Sequence, residues 1–119
     1  MRFCLIFFLT FSALQQADCS LAKDKSRIIV AGGSLTEIVF FLEEQKNLVA
    51  VDITSNYPAQ ATTLPSIGYV RALSTEGVLS LNPTLILGEE DMGPSLVVDQ
   101  IESTGVDLRV IEENYTLQT

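Results

Sequence analysis

The 119-residue chain has no histidine and no tryptophan, and both of its cysteines, Cys4 and Cys19, fall within the first twenty residues. Without histidine, the chain has neither a Ser-His-Asp nor a Cys-His catalytic group, and no imidazole metal site. Basic residues are scarce: seven Lys and Arg stand against fifteen Asp and Glu, for a net charge of −8 and a pI near 4.3. Nucleic-acid binding needs a basic face, so nucleic acid is excluded as a partner, and an anionic membrane surface is disfavoured on the same ground. Proline is limited to four, at 58, 65, 83 and 94, each in a break between apolar runs.

What is present begins with a leader. Arg2 precedes an apolar run from Cys4 to Leu14 (CLIFFLTFSAL), the length of a secretory h-region and too short to span a bilayer. Ser20-Leu21-Ala22 supplies small residues at the two cleavage positions, so residues 1–22 are expected to be a signal peptide cut after Ala22. Cys19 raises the alternative of a lipid anchor, but Asp18 stands where a small residue would be wanted. Cleavage would remove both thiols, one acid (Asp18) and one base (Arg2), leaving an exported chain, 23–119, still at −8.

From Arg27 onward, short apolar runs alternate with helical patterns. Arg27–Ala31 reads as a buried strand, broken by Gly32-Gly33. Ser34-Leu-Thr-Glu37 has capping-box spacing ahead of a helix carrying Leu35, Ile38, Val39 and Leu42. Leu48–Val51 is a second strand and 52–66 a long loop. Ser74–Leu81 reads as a short helix stopped by Asn82-Pro83, and Leu85–Leu87 as a third strand. Gly88–Gly93 is a polar loop, with Pro94 at the first position of a helix that ends before Gly105. Asp107–Ile111 is the fourth strand. This alternation predicts an α/β fold, a Rossmann-like parallel sheet with helices on both faces, whose ligands gather at the carboxyl ends of the strands. The relevant loops are then 32–34, 52–58, 66–73 and 88–93.

Three constellations lie in those loops. Gly32-Gly33-Ser34 lacks both the dinucleotide glycine spacing and a P-loop lysine, and a tight turn before a capped helix accounts for it. Glu89, Glu90 and Asp91 could offer oxygens to a hard cation, although a solvated loop explains them as well. In Ser66-Ile-Gly-Tyr-Val-Arg-Ala-Leu-Ser74, Gly68 permits close backbone approach, and Tyr69 and Arg71 would share one side of an extended stretch. A guanidinium beside a phenol favours its ionised form, and a phenolate is a known ligand of haem iron. A tyrosine in such a place also serves as an amphipathic loop anchor. Glu76, near the start of the short helix, suits the helix dipole on its own account.

The ordered set GGSLTE, D-x-T-S-x-Y-P, LP-x-x-GY-x-R-x-LS-x-EG-x-LSL-x-P and DMGP, over about residues 27–116, resembles the haemin-binding periplasmic proteins of ABC-type haem uptake systems. AGGSLTEI alone is shared with cobalamin- and siderophore-binding relatives. The resemblance implies the N-terminal lobe of a two-lobed periplasmic binding protein, its haem held in the cleft between lobes joined by one long helix. It implies that Tyr69 is an axial ligand to ferric iron and that Arg71 supports the phenolate or pairs with a haem propionate. It matches Glu76 to an acidic position that docks on basic residues of an inner-membrane permease. Tyr57 and the Asp91-Met92-Gly93 loop are placed on the cleft side by the strand-end rule, which adds Tyr57 and Met92 to the expected ligand-binding set. An outer-membrane haem receptor system would stand upstream.

The sequence stops at Thr119, about where the connecting helix should begin, so 23–119 is expected to be one lobe without the second. The leading expectation is periplasmic capture of haem as a transported ligand, with no turnover. The same fold with a corrinoid or ferric siderophore is the alternative, in which Tyr69 is only a wall residue. An enzyme holding a nucleotide on Gly32-Gly33 is disfavoured by the missing histidine, thiol and glycine fingerprint.

Overall fold

The computed structural model describes residues 22–113. The expected signal segment, with Cys4 and Cys19, lies outside the described residues. Four short strands, β1 (Ile28–Ala31), β2 (Leu48–Val51), β3 (Leu85–Glu89) and β4 (Asp107–Ile111), form one parallel sheet in the order β2-β1-β3-β4. Three helices connect them: α1 (Gly33–Phe41), α2 (Thr75–Leu79) and α3 (Ser95–Ser103). The expected parallel α/β sheet is the one observed.

Side chains alternate across a strand, so a strand buried on both faces must be apolar at every position. The central strand β1, Ile-Ile-Val-Ala, is buried throughout. Ile28 and Val30 join Leu48, Val51 and Leu85 under Val39 of α1. Ile29 and Ala31 join Ala50 and Ile86 on the opposite face, under Val78 of α2 and Ile101 of α3. Helices thus cover both faces, α1 one of them and α2 with α3 the other. Each fully buried aliphatic side chain contributes roughly 1.5–3 kcal/mol over its exposed state. At the sheet edge, Val110 and Ile111 of β4 remain exposed.

Several boundaries differ from the expected ones. The 52–66 loop contains a 3-10 turn, Ala59–Thr63. Strand β3 runs on through Gly88 and Glu89, taking two residues from the expected polar loop. Pro94 stands just before α3, as its cap, rather than inside it. The capping box at Ser34 does not form: α1 starts two residues earlier than that cap requires, at Gly33, and its cap is Gly32, whose φ of 139° is open to glycine and strained for other residues. Ser34 is therefore already inside the first turn and in no position to cap it.

A candidate ligand face at the carboxyl ends of the strands

The chain leaves β1 for β2 on one side and reaches β3 and β4 on the other. The sheet therefore has a switch point between β1 and β3, where α/β sheets bind their ligands. The loops that meet there are held by two sets of contacts, one polar and buried, the other at the surface.

The buried set centres on Asp52, the first residue beyond β2, which is 2% exposed. One carboxylate oxygen accepts from Gly32 N at 3.0 Å and Ser55 Oγ at 2.8 Å; the other accepts from Thr54 N at 3.2 Å and Thr54 Oγ1 at 2.7 Å. Ser55 in turn shares a hydrogen bond of 2.8 Å with the buried Thr36 of α1. A buried carboxylate must be hydrogen-bonded to be tolerated, and this one uses its acceptors to lock the β2 exit to the β1–α1 turn. Sequence reasoning gave Asp52 no role. The signal was present in the serine and threonine at its second and third following positions, which commonly close such local turns.

The Gly68-Tyr69 turn is mounted on both neighbouring loops. On the β2 side, Ile53 N donates to Gly68 O at 2.9 Å and Ile67 N to Val51 O at 3.0 Å. On the β3 side, Gly93 N donates to Val70 O at 3.0 Å and Leu73 N to Gly93 O at 2.9 Å. Gly68 is needed for its left-handed backbone, with φ of 92°. A Cβ there would meet nothing within 4 Å, so the expected close backbone approach is absent. Residues 69–72 form a turn closed by Ala72 N donating to Tyr69 O at 2.9 Å, in place of the expected extended stretch. Val70 and Leu73 point into the core and anchor that turn, which leaves Tyr69 42% exposed at the surface.

Arg71 Nε donates to Asp91 Oδ2 at 2.8 Å. The guanidinium is held further in its charged form, first by that hydrogen bond and next by its closeness to Tyr69. Tyr69, Arg71 and Asp91 are therefore brought together. The other expected positions are not part of this group. Tyr57 is 68% exposed and stands against α1, where with Ser34, Glu37, Ile38, Phe41 and Pro58 it walls a hollow of about 640 Å³. Met92 is 7% exposed and packs in the core beneath the sheet tips, so its side chain is a loop anchor with no ligand-facing surface. Glu76 is exposed in the first turn of α2, behind the Ser74 cap that accepts from Gly77 N at 3.2 Å.

The acidic loop is less uniform than its composition implied. Glu90 and Asp91 are exposed, but Glu89 folds back over the Gly32 turn and accepts from Ser34 N at 3.3 Å. Burial there raises its carboxyl above the usual range, the Ser34 N–H opposes that, and the charge of Asp91 adds to the rise. Among the described residues no three carboxylates converge as they would around a cation. Two apolar residues that sequence reasoning missed also stand exposed here: Ile53, just past β2, and Leu96, in the first turn of α3, at 58% and 65%. Nothing in their local pattern separates them from core positions.

The model of the periplasmic binding protein family matches residues 28–116. Among solved structures, the chain is similar to a periplasmic haem-binding protein from Pseudomonas aeruginosa, with 45% identity and a TM-score of 0.71, over 73% of this chain and 31% of that one. It is similar also to the periplasmic haem-binding protein RhuT from Roseiflexus sp. RS-1 in its apo form, with 43% identity and a TM-score of 0.72, over 75% of this chain and 34% of that one. A curated relative, the vitamin B12-binding protein of Yersinia pestis (strain Pestoides F), is 30% identical over 87 residues, 73% of this chain and 31% of the relative. The chain thus spans about a third of the length of each. Its parallel sheet with helices is that of the two-lobed binding-protein fold. From the match over residues 28–116 and these neighbours, the chain belongs to the periplasmic binding protein family, beside members that bind haem.

Proposed function

We propose that this chain captures haem in the periplasm for an ABC-type importer and performs no chemistry on it. The observation that carries the reading is the surface position of Tyr69 at the strand tips, beside the Arg71 guanidinium, in a chain 45% identical to a haem-binding structure. An anionic oxygen ligand prefers ferric iron, the state of free haemin outside the cytoplasm. Ile53 and Leu96 supply apolar surface for the macrocycle on the same end of the sheet. Tyr57, against α1, gives an aromatic wall farther out.

Export by the N-terminal signal, supply of haem through an outer-membrane receptor system and docking of Glu76 on an inner-membrane permease complete the proposal. The exposure of Glu76 on α2 supports the last of these. Because the chain spans about a third of its relatives, it offers one wall of a cleft, and the macrocycle's other face needs a second wall.

Haemin titrated into the purified chain tests the reading. The expected result is the charge-transfer band of tyrosinate-ligated ferric haem, lost in Tyr69→Phe. A second reading, a corrinoid ligand, is favoured by the vitamin B12-binding relative. Excess cyanocobalamin separates the two. Displacement of haemin by the corrinoid, with Tyr69→Phe binding as the parent does, would replace the haem assignment.

A further inference from the structure

We propose that Asp91 is a positioning residue for the ligand turn, its carboxylate fixing where the Arg71 guanidinium stands relative to the Tyr69 phenol. This rests on the haem reading for its purpose, but its geometry can be tested without haem.

Asp91 and Arg71 come from loops on different elements, twenty positions apart, and meet through the inner nitrogen of the guanidinium, Nε, at 2.8 Å. Nε is the guanidinium nitrogen nearest the stem, so a bond there ties down the base of the group. The mount is firm on both sides. Met92, the next residue, is buried in the core, and Met92 N donates to Glu89 O at 2.9 Å. Gly93 then exchanges two backbone hydrogen bonds with Val70 and Leu73, residues that flank Arg71. Asp91 is therefore held in register with the turn it bonds to.

The pair contributes little to folding, since both side chains are well exposed, at 64% and 37%, and exposed ion pairs are screened by solvent. Its importance lies in choosing among rivals. Arg71 shares a hollow of about 240 Å³ with Glu89, Glu90, Asp91 and Glu113. Each carboxylate there attracts a guanidinium, so the one that bonds to it sets where it stands. Asp91 is the acid that the backbone places directly opposite Nε, and it holds the charge beside Tyr69.

The test compares the parent chain with Asp91→Asn, Asp91→Ala, Arg71→Ala and the double variant Asp91→Ala/Arg71→Ala. In the haem-free chain, the Arg71 Nε–H resonance is expected to exchange slowly with water in the parent. It should do so in Asp91→Asn, whose carboxamide oxygen still accepts, and be lost in Asp91→Ala, while the Leu73 and Gly93 amides stay protected in all. In haemin titrations, Asp91→Ala is expected to weaken binding about fivefold, as Arg71→Ala does, and the double variant no further. An unchanged Nε–H signal in Asp91→Ala overturns the inference whatever the ligand is. So does full additivity of the two losses. Failure of the parent chain to bind haemin, with the Nε–H result as expected, overturns the haem reading alone.

Discussion

The carboxylate of Glu89 lies over the backbone of Gly32, so close that a Cβ at position 32 would overlap the Glu89 side chain. The last residue of β3 is thus packed against the cap of α1, and glycine at 32 answers to two constraints at once: that contact and its φ of 139°. Gly32→Ala is expected to lose about 2–3 kcal/mol of stability in urea unfolding, mostly from backbone strain, since the overlapped atoms are the movable end of the Glu89 side chain. Adding Glu89→Ala relieves the overlap and leaves the strain, so the double variant should recover part of the loss. A double variant less stable than Gly32→Ala would show that Glu89 is not what the methyl group meets.

Glu89 also gives a pH dependence of definite sign. Burial, its largest influence, raises its carboxyl above the usual range, so the folded chain keeps this proton to higher pH than the unfolded chain does. The stability this contributes is present below the unfolded value and lost as pH rises through the folded one. Glu89→Gln removes the titration and retains an acceptor for Ser34 N. From mildly acid to neutral pH, the urea midpoint of the parent is expected to fall relative to that of Glu89→Gln. Parallel curves for the two proteins would contradict the assignment.

Asp52 is expected to be the most sensitive polar position. Asp52→Ala leaves the buried Gly32 N–H and Ser55 hydroxyl without that acceptor, together with the N–H and hydroxyl of the exposed Thr54. A loss of about 3 kcal/mol follows from the unmet donors. Asp52→Asn keeps one acceptor oxygen and should lose less. Urea unfolding followed by circular dichroism measures both, and equal losses would mean that the charge, rather than the number of acceptors, is what matters.

In the apolar interior, Ile101 is the fully buried residue of α3, packed into the core beside the half-buried Val97 and Val98. Ile101→Ala is expected to lose about 2–5 kcal/mol from lost burial and the space left behind. Leu96→Ala, on the same helix but 65% exposed, should leave the unfolding midpoint close to that of the parent. If the two variants melt together, α3 is not seated as described.

The strands were legible because each is a short apolar run closed by glycine, proline or charge, as Ile28–Ala31 is by Gly32. The parallel sheet followed from their alternation with helical patterns. What escaped was non-local. Ser34 and Glu37 have the spacing of a local cap, yet the Ser34 N–H is taken by Glu89, a residue from another strand. Met92 lies among acids and glycine and looked like surface, but a lone apolar side chain in a short polar loop serves as its peg. Tyr69 and Arg71 do lie close together, although through a turn that Gly68 opens rather than through extended chain. The partnership of Arg71 with Asp91 depends on how two loops are laid side by side, which no local pattern encodes.

The strand order carries one more consequence. Because β1 lies between β2 and β3, the connection from Asp52 to Ser74 has to pass over β1 to start the second half of the sheet, and Tyr69 rides on that crossing. The same strap fastens the two halves and displays the phenol. Shortening it would unseat β3 as well as remove the phenol, so a change of ligand preference has to come from replacing side chains along the strap, with its length left alone.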